Sequence, residues 1–130
     1  MQSISPGTIF RGNLAWKKSL PLITKLTKSP LVLGRSIHTN NLRNEILTDL
    51  KNQNLHVNSS NLQFDCCYED ISRIKNIILE NNHDSLIAAG GGKVMDSGKY
   101  IADSLDIPCI TVPLSASTCA GWTALSNIYT

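Results

Sequence analysis

The sequence predicts an α/β fold in which a mostly parallel sheet is flanked by helices. Short apolar runs of strand length alternate along the chain with longer segments whose apolar residues recur at helical spacing. The clearest example lies between residues 85 and 112, where an apolar run breaks into three glycines, a helical pattern follows and a second apolar run closes the unit. That order is typical of a strand–helix–strand unit, which joins two parallel strands.

Two strands and one helix are predicted in the first part of the chain. Residues 9–10 begin a short strand, and residues 14–27 carry apolar side chains close to helical period. Pro21 lies inside this helix, so we expect the helix to kink or to begin anew there. Residues 30–33 are predicted to form a buried parallel strand that ends at Gly34.

Two further helices are predicted before the three glycines. The first is capped by Thr39 or Asn40, and the second covers residues 68–82, where isoleucines recur at helical spacing. Between these helices, residues 55–57 are expected to form a strand. Residues 58–67, which are rich in Asn and Ser, are expected to form a loop, with a short strand at residues 62–64 as an option.

The composition favours a single soluble domain. The chain has 130 residues, 42% of them hydrophobic, and a formal net charge of +2, which is too small to indicate binding to nucleic acid. No apolar run is long enough to cross a membrane, and the first residues lack the pattern of a secretory signal. The four cysteines form no C-x-x-C pair and are expected to remain thiols, which favours the cytoplasm.

The three consecutive glycines are candidates for a phosphate site. Gly90, Gly91 and Gly92 can adopt positive φ without steric cost, and without a Cβ they let backbone N–H groups approach an anion closely. The helix predicted to begin near Val94 adds unpaired N–H groups and the positive end of its dipole, and Lys93 adds a countercharge. The alternative is a tight strand-to-helix turn that needs glycine only for its geometry.

Neither of the two best-known phosphate motifs is present. A Walker A loop would need a glycine where Lys93 stands and a Ser or Thr where Tyr100 stands. The G-x-G-x-x-G fingerprint would need its third glycine at the position of Met95. A phosphate site here would therefore be of another kind.

Three motifs in a fixed order carry a resemblance to a known family. GGGKxxDxxK starts at residue 90, PxSAST at residue 113 and ALSxIY at residue 124. Their order and separation resemble those of the iron-containing alcohol dehydrogenase and glycerol dehydrogenase family, and residues 5–12 resemble its opening strand. The resemblance implies that residues 1–130 form a Rossmann-like NAD(P)-binding domain, truncated before the family's helical metal and substrate domain.

The same resemblance implies a set of cofactor contacts. The loop at residues 114–118 would contact phosphate or the nicotinamide, whereas without the resemblance its hydroxyl groups predict only a capped helix start. Asp96 and Lys99, three residues apart on a helix, are expected to pair and to support the glycine turn. The residues that the resemblance assigns to the cofactor are Gly90, Gly91, Gly92, Lys93, Asp96, Leu114, Ser115, Ser117, Thr118, Thr123, Leu125 and Tyr129.

Arg35 bears on the choice between NAD and NADP as the cofactor. It follows the second predicted strand, where dinucleotide-binding folds place the group that contacts the adenosine ribose. A carboxylate there accepts hydrogen bonds from the ribose hydroxyls and favours NAD, whereas an arginine accommodates the 2′-phosphate of NADP. The family often has Asp at this point, so Arg35 favours NADP, with an arginine on a surface loop as the alternative.

Cys119 stands at a position that the resemblance assigns to the substrate. Glycerol dehydrogenases typically have Asp immediately after the Ser-Thr pair, and a thiol cannot accept hydrogen bonds from a polyol as a carboxylate does. Cys119 therefore counts against glycerol itself as the substrate, with a buried, unreactive cysteine as the alternative.

The histidines do not suggest a metal site. His38, His56 and His83 form no H-x-x-x-H or H-E-x-x-H pattern and are expected on the surface or in loops. In the resembled family, Asp and His residues of the C-terminal domain hold a divalent metal, Zn or Fe. The metal polarises the alcohol oxygen while a hydride passes to the nicotinamide.

The sequence as a whole predicts the N-terminal cofactor-binding part of a metal-dependent NAD(P) alcohol or polyol oxidoreductase. Its substrate would be a small alcohol or polyol, and a homo-oligomer is compatible with this interpretation. Three alternatives stay open: a glycerol-1-phosphate dehydrogenase, a dehydroquinate synthase-like enzyme, and a truncated nucleotide-binding fragment without catalytic activity.

Overall fold

The computed structural model describes the chain at residues 8–11, 15–35, 40–63, 68–114 and 125–129. Strands and helices alternate through these ranges, as the apolar periodicity predicts. In chain order the elements are β1 (Thr8–Arg11), α1 (Ala15–Leu26), β2 (Pro30–Gly34), α2 (Asn40–Asn52), β3 (Asn58–Asn61), α3 (Tyr68–Glu80), β4 (Ser85–Gly90), α4 (Gly92–Leu105), β5 (Cys109–Pro113) and β6 (Leu125–Tyr129).

The strands form one six-stranded sheet with the order β1-β6-β5-β4-β2-β3. The strands β3, β2, β4 and β5 run parallel to their neighbours, whereas β6 pairs antiparallel with both β5 and β1. Every residue of β2 and of β4 is buried, because helices cover both faces of the sheet at these central strands. The predicted α/β fold with a mostly parallel sheet is therefore confirmed.

Two separate apolar cores lie on the two faces of the sheet, because successive side chains of a strand point to opposite faces. On the first face α1 and α2 pack against the sheet through Trp16, Leu20, Ile23, Ile46 and Leu50, which meet Val32, Ile87 and Ile110. On the second face α3 and α4 pack through Ile74, Ile78, Val94 and Ile101, which meet Leu31, Leu33, Leu86 and Ala88.

The helix α1 is continuous through its proline. It runs from Ala15 to Leu26 with Pro21 inside it, so the expectation that the helix begins anew at Pro21 is wrong. Pro21 lies on the exposed side of α1, where the carbonyl of Lys17 that loses its intrahelical partner can bond water instead. The tertiary packing of Trp16 and Ile23, both fully buried, holds the helix together across the missing bond.

The strand β3 corrects a second prediction. Residues 55–57, expected to be a strand, form the connection into β3, and the strand occupies residues 58–61, where a loop was expected. The N–H of His56 already donates to the carbonyl of Lys28 at 2.9 Å in this connection. An edge strand needs only one hydrogen-bonded neighbour, here β2, so it can form from the polar sequence Asn-Ser-Ser-Asn.

Three helices end in the same way, on a residue in the left-handed region. Asn54, Asn82 and Asp106 have φ of 63°, 56° and 56°. In each case the following N–H reaches back to a carbonyl five residues earlier, as in the bond of 3.0 Å from Ile107 to Ala102. The helix predicted over residues 68–82 therefore stops at Glu80, two residues early.

No helix in the described ranges is both long enough and apolar enough to cross a membrane.

Candidate functional site

The strands β2 and β4 meet at the centre of the sheet, and the chain leaves their carboxyl ends toward opposite faces. After β2 it continues into α2, which packs in the first core, and after β4 it continues into α4, which packs in the second. In an open α/β sheet, such a reversal opens a crevice at the carboxyl ends of the strands, where ligands bind. Gly34 and Gly90 are the last residues of the two strands and mark this crevice.

The glycine turn is the junction between β4 and α4. Gly91 is the N-cap of α4 with an extended backbone (φ −85°, ψ −171°), and among the described residues no side chain caps this helix. The first N–H that pairs within the helix is that of Met95, which donates to the carbonyl of Gly91 at 3.1 Å. Earlier N–H groups of a helix have no intrahelical partner, so this turn presents donors and the positive helix end toward the crevice.

The glycines at the start of α4 are not explained by the packing of the described chain. A Cβ added to Gly91 or Gly92 would have no described atom within 4 Å, whereas one added to Gly90 would lie 3.1 Å from Cγ2 of Val94. None of the three has a positive φ, so their freedom to adopt left-handed backbone is not used here. The turn-geometry alternative thus accounts for Gly90 at most, and the open side of Gly91 and Gly92 leaves room for a group from outside.

The loop after β5 lies against the glycine turn. Leu114 is buried, and its N–H donates to the carbonyl of Gly90 at 3.0 Å. Pro113, the last residue of β5, is level with Gly90 in the parallel register. The structure therefore brings together the beginnings of the first two predicted motifs, which the sequence separates by more than twenty residues.

Several predicted site residues lie outside the described ranges. These are Ser115, Ser117, Thr118, Cys119 and Thr123, so their roles stay predictions.

The third motif forms the strand β6, which pairs antiparallel with β5 and with β1. Leu125 pairs with Arg11 at one end of β6. Tyr129 pairs with Cys109, the first residue of β5, and therefore lies at the amino end of that strand. The glycine turn is at the opposite edge of the sheet, so the backbone of Tyr129 is not brought together with it.

The charged residues of α4 lie on its solvent side. Lys93 is exposed in the first turn. The carboxylate of Asp96, whose side chain is 80% exposed, lies 3.8 Å from the ammonium of Lys99, so the predicted pairing is confirmed as a loose surface contact. Support of the glycine turn by this pair stays a prediction.

Arg35 follows β2 directly, as the sequence predicts, and its exposure fits both the predicted ribose contact and the alternative of a surface arginine. A second arginine, Arg43 of α2, was not predicted and is 96% buried at the crevice edge. Its guanidinium donates to the side-chain oxygen of Asn40 at 2.5 Å and, over 3.4 Å, to the carbonyl of Ala89 at the end of β4. A Cβ on Gly34 would lie 2.2 Å from Nε of Arg43, which explains the glycine at that position.

His83 belongs to a polar cluster at the amino edge of the sheet, far from the crevice. It lies in the connection between α3 and β4, so the expectation of a loop position is confirmed, although its side chain is buried there. Its Nδ1 lies 3.0 Å from the carbonyl of Ser29 and its Nε2 lies 3.2 Å from the side-chain amide of Asn58. A neutral ring satisfies both contacts by donating from Nδ1 and accepting at Nε2. The neighbouring Asp84 accepts hydrogen bonds from the hydroxyl of Thr27 and from the N–H of Ser29.

Burial and hydrogen bonds together set the protonation of these amino-edge groups. Desolvation, together with the nearby ring of His56, lowers the pKa of His83 from its ordinary 6.5, against opposing contributions from Ser29 and Asp84. Burial alone would raise the pKa of the Asp84 carboxyl, but its hydrogen bonds to Thr27, Lys28 and Ser29 outweigh burial and lower it. Burial also raises the pKa of the Cys109 thiol to about 12, which makes this cysteine unreactive.

No three His, Cys, Asp or Glu side chains come together within the described part of the chain, so these residues do not fit a metal site. The candidate site is therefore the crevice itself, lined by the glycine turn, the start of the loop after β5, and the end of β2.

The architecture defines a doubly wound α/β protein with a glycine turn at its reversal point. The chain matches the iron-containing alcohol dehydrogenase family profile over residues 6–130, and it belongs to that family.

Individual relatives agree with this assignment. An uncharacterized oxidoreductase from Synechocystis sp. is 34% identical over 98% of this chain and 32% of its own length. Glycerol dehydrogenase 1 from Schizosaccharomyces pombe is 32% identical over 97% of this chain and 28% of its own length. The crystal structure of glycerol dehydrogenase from Schizosaccharomyces pombe superposes with a TM-score of 0.71 and 26% identity, covering 87% of this chain and 30% of that one. The chain thus spans about a third of the length of the curated relatives it matches.

Proposed function

We propose that residues 1–130 form the dinucleotide-binding domain of an NAD(P)-dependent, metal-dependent oxidoreductase of small alcohols or polyols. The observation that carries this proposal is the glycine turn at the reversal point of the sheet. No described atom would contact a Cβ on Gly91 or Gly92, and they stand at a helix start whose first N–H groups lack intrahelical partners. A pyrophosphate fits this chemistry because it needs donors and positive potential without a Cβ in the way.

Different described residues would contact different parts of the dinucleotide. The N–H groups at the start of α4 would donate to the pyrophosphate, with the ammonium of Lys93 as a countercharge. The bond from Leu114 to Gly90 would hold the loop after β5 against the same phosphate, toward the nicotinamide half. Arg35, at the end of β2, would meet the adenosine ribose on the other side and favour a 2′-phosphate.

The bound nicotinamide would accept a hydride from the alcohol carbon, which is the chemistry that the cofactor supplies. The Zn or Fe ion of the proposed enzyme would be held by residues other than those described, since the described ones form no ligand cluster. The proposal also includes a small alcohol or polyol as the enzyme's substrate, assembly into a homo-oligomer and a cytoplasmic location. Cys119, in place of the carboxylate typical of glycerol dehydrogenases, favours a substrate other than glycerol.

The substitution Gly92→Asp tests the phosphate site in the protein as its source cells make it. The new side chain enters open space, and a carboxylate in the first turn of α4 favours the helix, so the melting temperature should hold or rise slightly. The same carboxylate repels the pyrophosphate, so the dissociation constants of NADH and NADPH should rise at least about tenfold, equivalent to 1.4 kcal/mol. Nucleotide fluorescence titration measures both constants.

Gly92→Asn is the matched control, because it has the same size without the charge. Both variants place a side chain in the proposed phosphate site, so Gly92→Asn should also weaken binding, but less than Gly92→Asp, which adds a repelling charge. If the unaltered protein binds neither nucleotide, or if Gly92→Asp binds both as tightly as the unaltered protein, the proposed site is wrong.

A further inference from the structure

The buried side chain of Arg43 connects the two walls of the crevice. Arg43 belongs to the first turns of α2, the helix that follows β2. Its guanidinium lies directly over Gly34, the last residue of β2, and donates to the carbonyl of Ala89 in β4. Ala89 immediately precedes the three glycines. One side chain therefore contacts the end of the strand on one side of the crevice and the start of the glycine turn on the other.

The apolar packing of α2 does not itself require a cation at this position. Burial lowers the pKa of Arg43, which means that its surroundings disfavour the charge. A positive charge near the start of a helix also opposes the helix dipole. Ile46 and Leu50 on the same helix pack in the apolar core, and an apolar residue at position 43 would continue that packing without the cost of desolvating a cation.

We infer that Arg43 is a positioning residue for the dinucleotide, fixing the end of β2 relative to the glycine turn. This inference rests on the proposed function. A dinucleotide spans both walls, with its adenosine ribose at the end of β2 and its pyrophosphate at the glycine turn. When both walls are already held in position, binding does not have to order the protein, so less of the interaction free energy is lost and the affinity is higher. A ligand that contacts only the glycine turn gains nothing from this bridge.

The substitution Arg43→Met removes the bridge and keeps a long side chain for packing. In the protein as its source cells make it, the dissociation constants of NADH and NADPH should rise about tenfold. The dissociation constant of inorganic pyrophosphate, which needs the glycine turn alone, should change by less than about threefold. Arg43→Lys reaches the same place with one ammonium and should recover part of the dinucleotide affinity.

Gly34→Ala is an independent test, because it displaces the guanidinium while keeping its charge. The added Cβ would overlap Nε of Arg43 at 2.2 Å, so the side chain must leave Ala89 and Asn40. Gly34→Ala alone should reproduce the selective loss of dinucleotide affinity. In the Arg43→Met background it should add little, since both changes remove one interaction.

The outcomes distinguish a failure of the positioning role of Arg43 from a failure of the proposed function. A loss of dinucleotide affinity with pyrophosphate affinity retained, seen in Arg43→Met or in Gly34→Ala, supports the positioning role. Unchanged dinucleotide affinity, or a parallel loss for dinucleotide and pyrophosphate, overturns it. If Arg43→Met is unfolded at the assay temperature, Gly34→Ala and Arg43→Lys decide the question. If the unaltered protein binds no dinucleotide, the proposed function fails instead.

Discussion

Within the proposed function, Arg35 is the residue that we expect to decide between NAD and NADP. It is exposed at the end of β2, where the adenosine ribose would lie. Arg35→Asp should reverse the preference, because a carboxylate accepts hydrogen bonds from the ribose hydroxyls and repels a 2′-phosphate. The ratio of the dissociation constants of NADPH and NADH should rise by at least about tenfold in fluorescence titrations.

Lys51→Asp is the control for Arg35→Asp. It makes the same change of charge on an exposed residue at the far end of α2, near the amino edge of the sheet. The nucleotide preference should stay as it is in the unaltered protein. A protein that already prefers NADH before any substitution would contradict the role given to Arg35.

At the scale of single residues, the sequence predicts the glycine turn but not Arg43. Three glycines in a row are an unusual local signal, and their chemistry follows from the absent Cβ alone. Arg43 stands in an ordinary helical pattern, and its role depends on Gly34 and Ala89, which are distant in sequence. The one available signal was Gly34, a glycine at the end of an apolar strand with no turn chemistry to explain it.

The end of α4 offers a test at the scale of an element. Asp106 adopts φ of 56°, which is unfavourable for a residue with a Cβ, and its carboxylate lies at the negative end of the helix. Asp106→Gly relieves both effects and should raise the free energy of unfolding by about 1 kcal/mol, after allowance for the greater freedom of glycine in the unfolded chain. Urea unfolding followed by circular dichroism measures the change.

Asp106→Asn separates the two contributions. It keeps the left-handed backbone and removes only the charge, so we expect a gain of about 0.3 kcal/mol. A loss of stability in Asp106→Gly would mean that the entropy of the unfolded chain outweighs the backbone strain.

Helices and central strands are predictable here because each buries an apolar stripe that the sequence displays. The edge strand β3 is not, because its four polar residues carry no such pattern and form a strand only through the neighbouring β2. The continuity of α1 across Pro21 cannot be predicted from the local sequence either, because it depends on the packing of Trp16 against residues distant in sequence. Tertiary context overrides local preference at both places.

The stability of the whole molecule should depend on pH through His83. Its pKa is lowered in the folded state. At pH values between that lowered pKa and 6.5, the unfolded chain therefore binds a proton that the folded protein does not bind. The free energy of unfolding is therefore highest above pH 6.5 and falls as the pH drops below it. Urea unfolding between pH 7.5 and pH 5.5, about one unit to either side of the ordinary histidine value, measures this decline.

His83→Gln is the matched variant for this prediction. Glutamine keeps one donor and one acceptor but does not titrate, so most of the decline should disappear. Asp84 remains ionised throughout this range, because its pKa lies below its ordinary 3.8. The same decline in His83→Gln would assign the pH dependence to other groups.

The outer edge of the sheet affects how copies of this domain meet one another. The four side chains of β3 are polar, so a strand arriving from another molecule would find no apolar surface beside the open backbone. Pairing there would exchange hydrogen bonds with water for equivalent hydrogen bonds with protein, at little net gain. This edge therefore offers copies of the domain little free energy for sheet-to-sheet pairing.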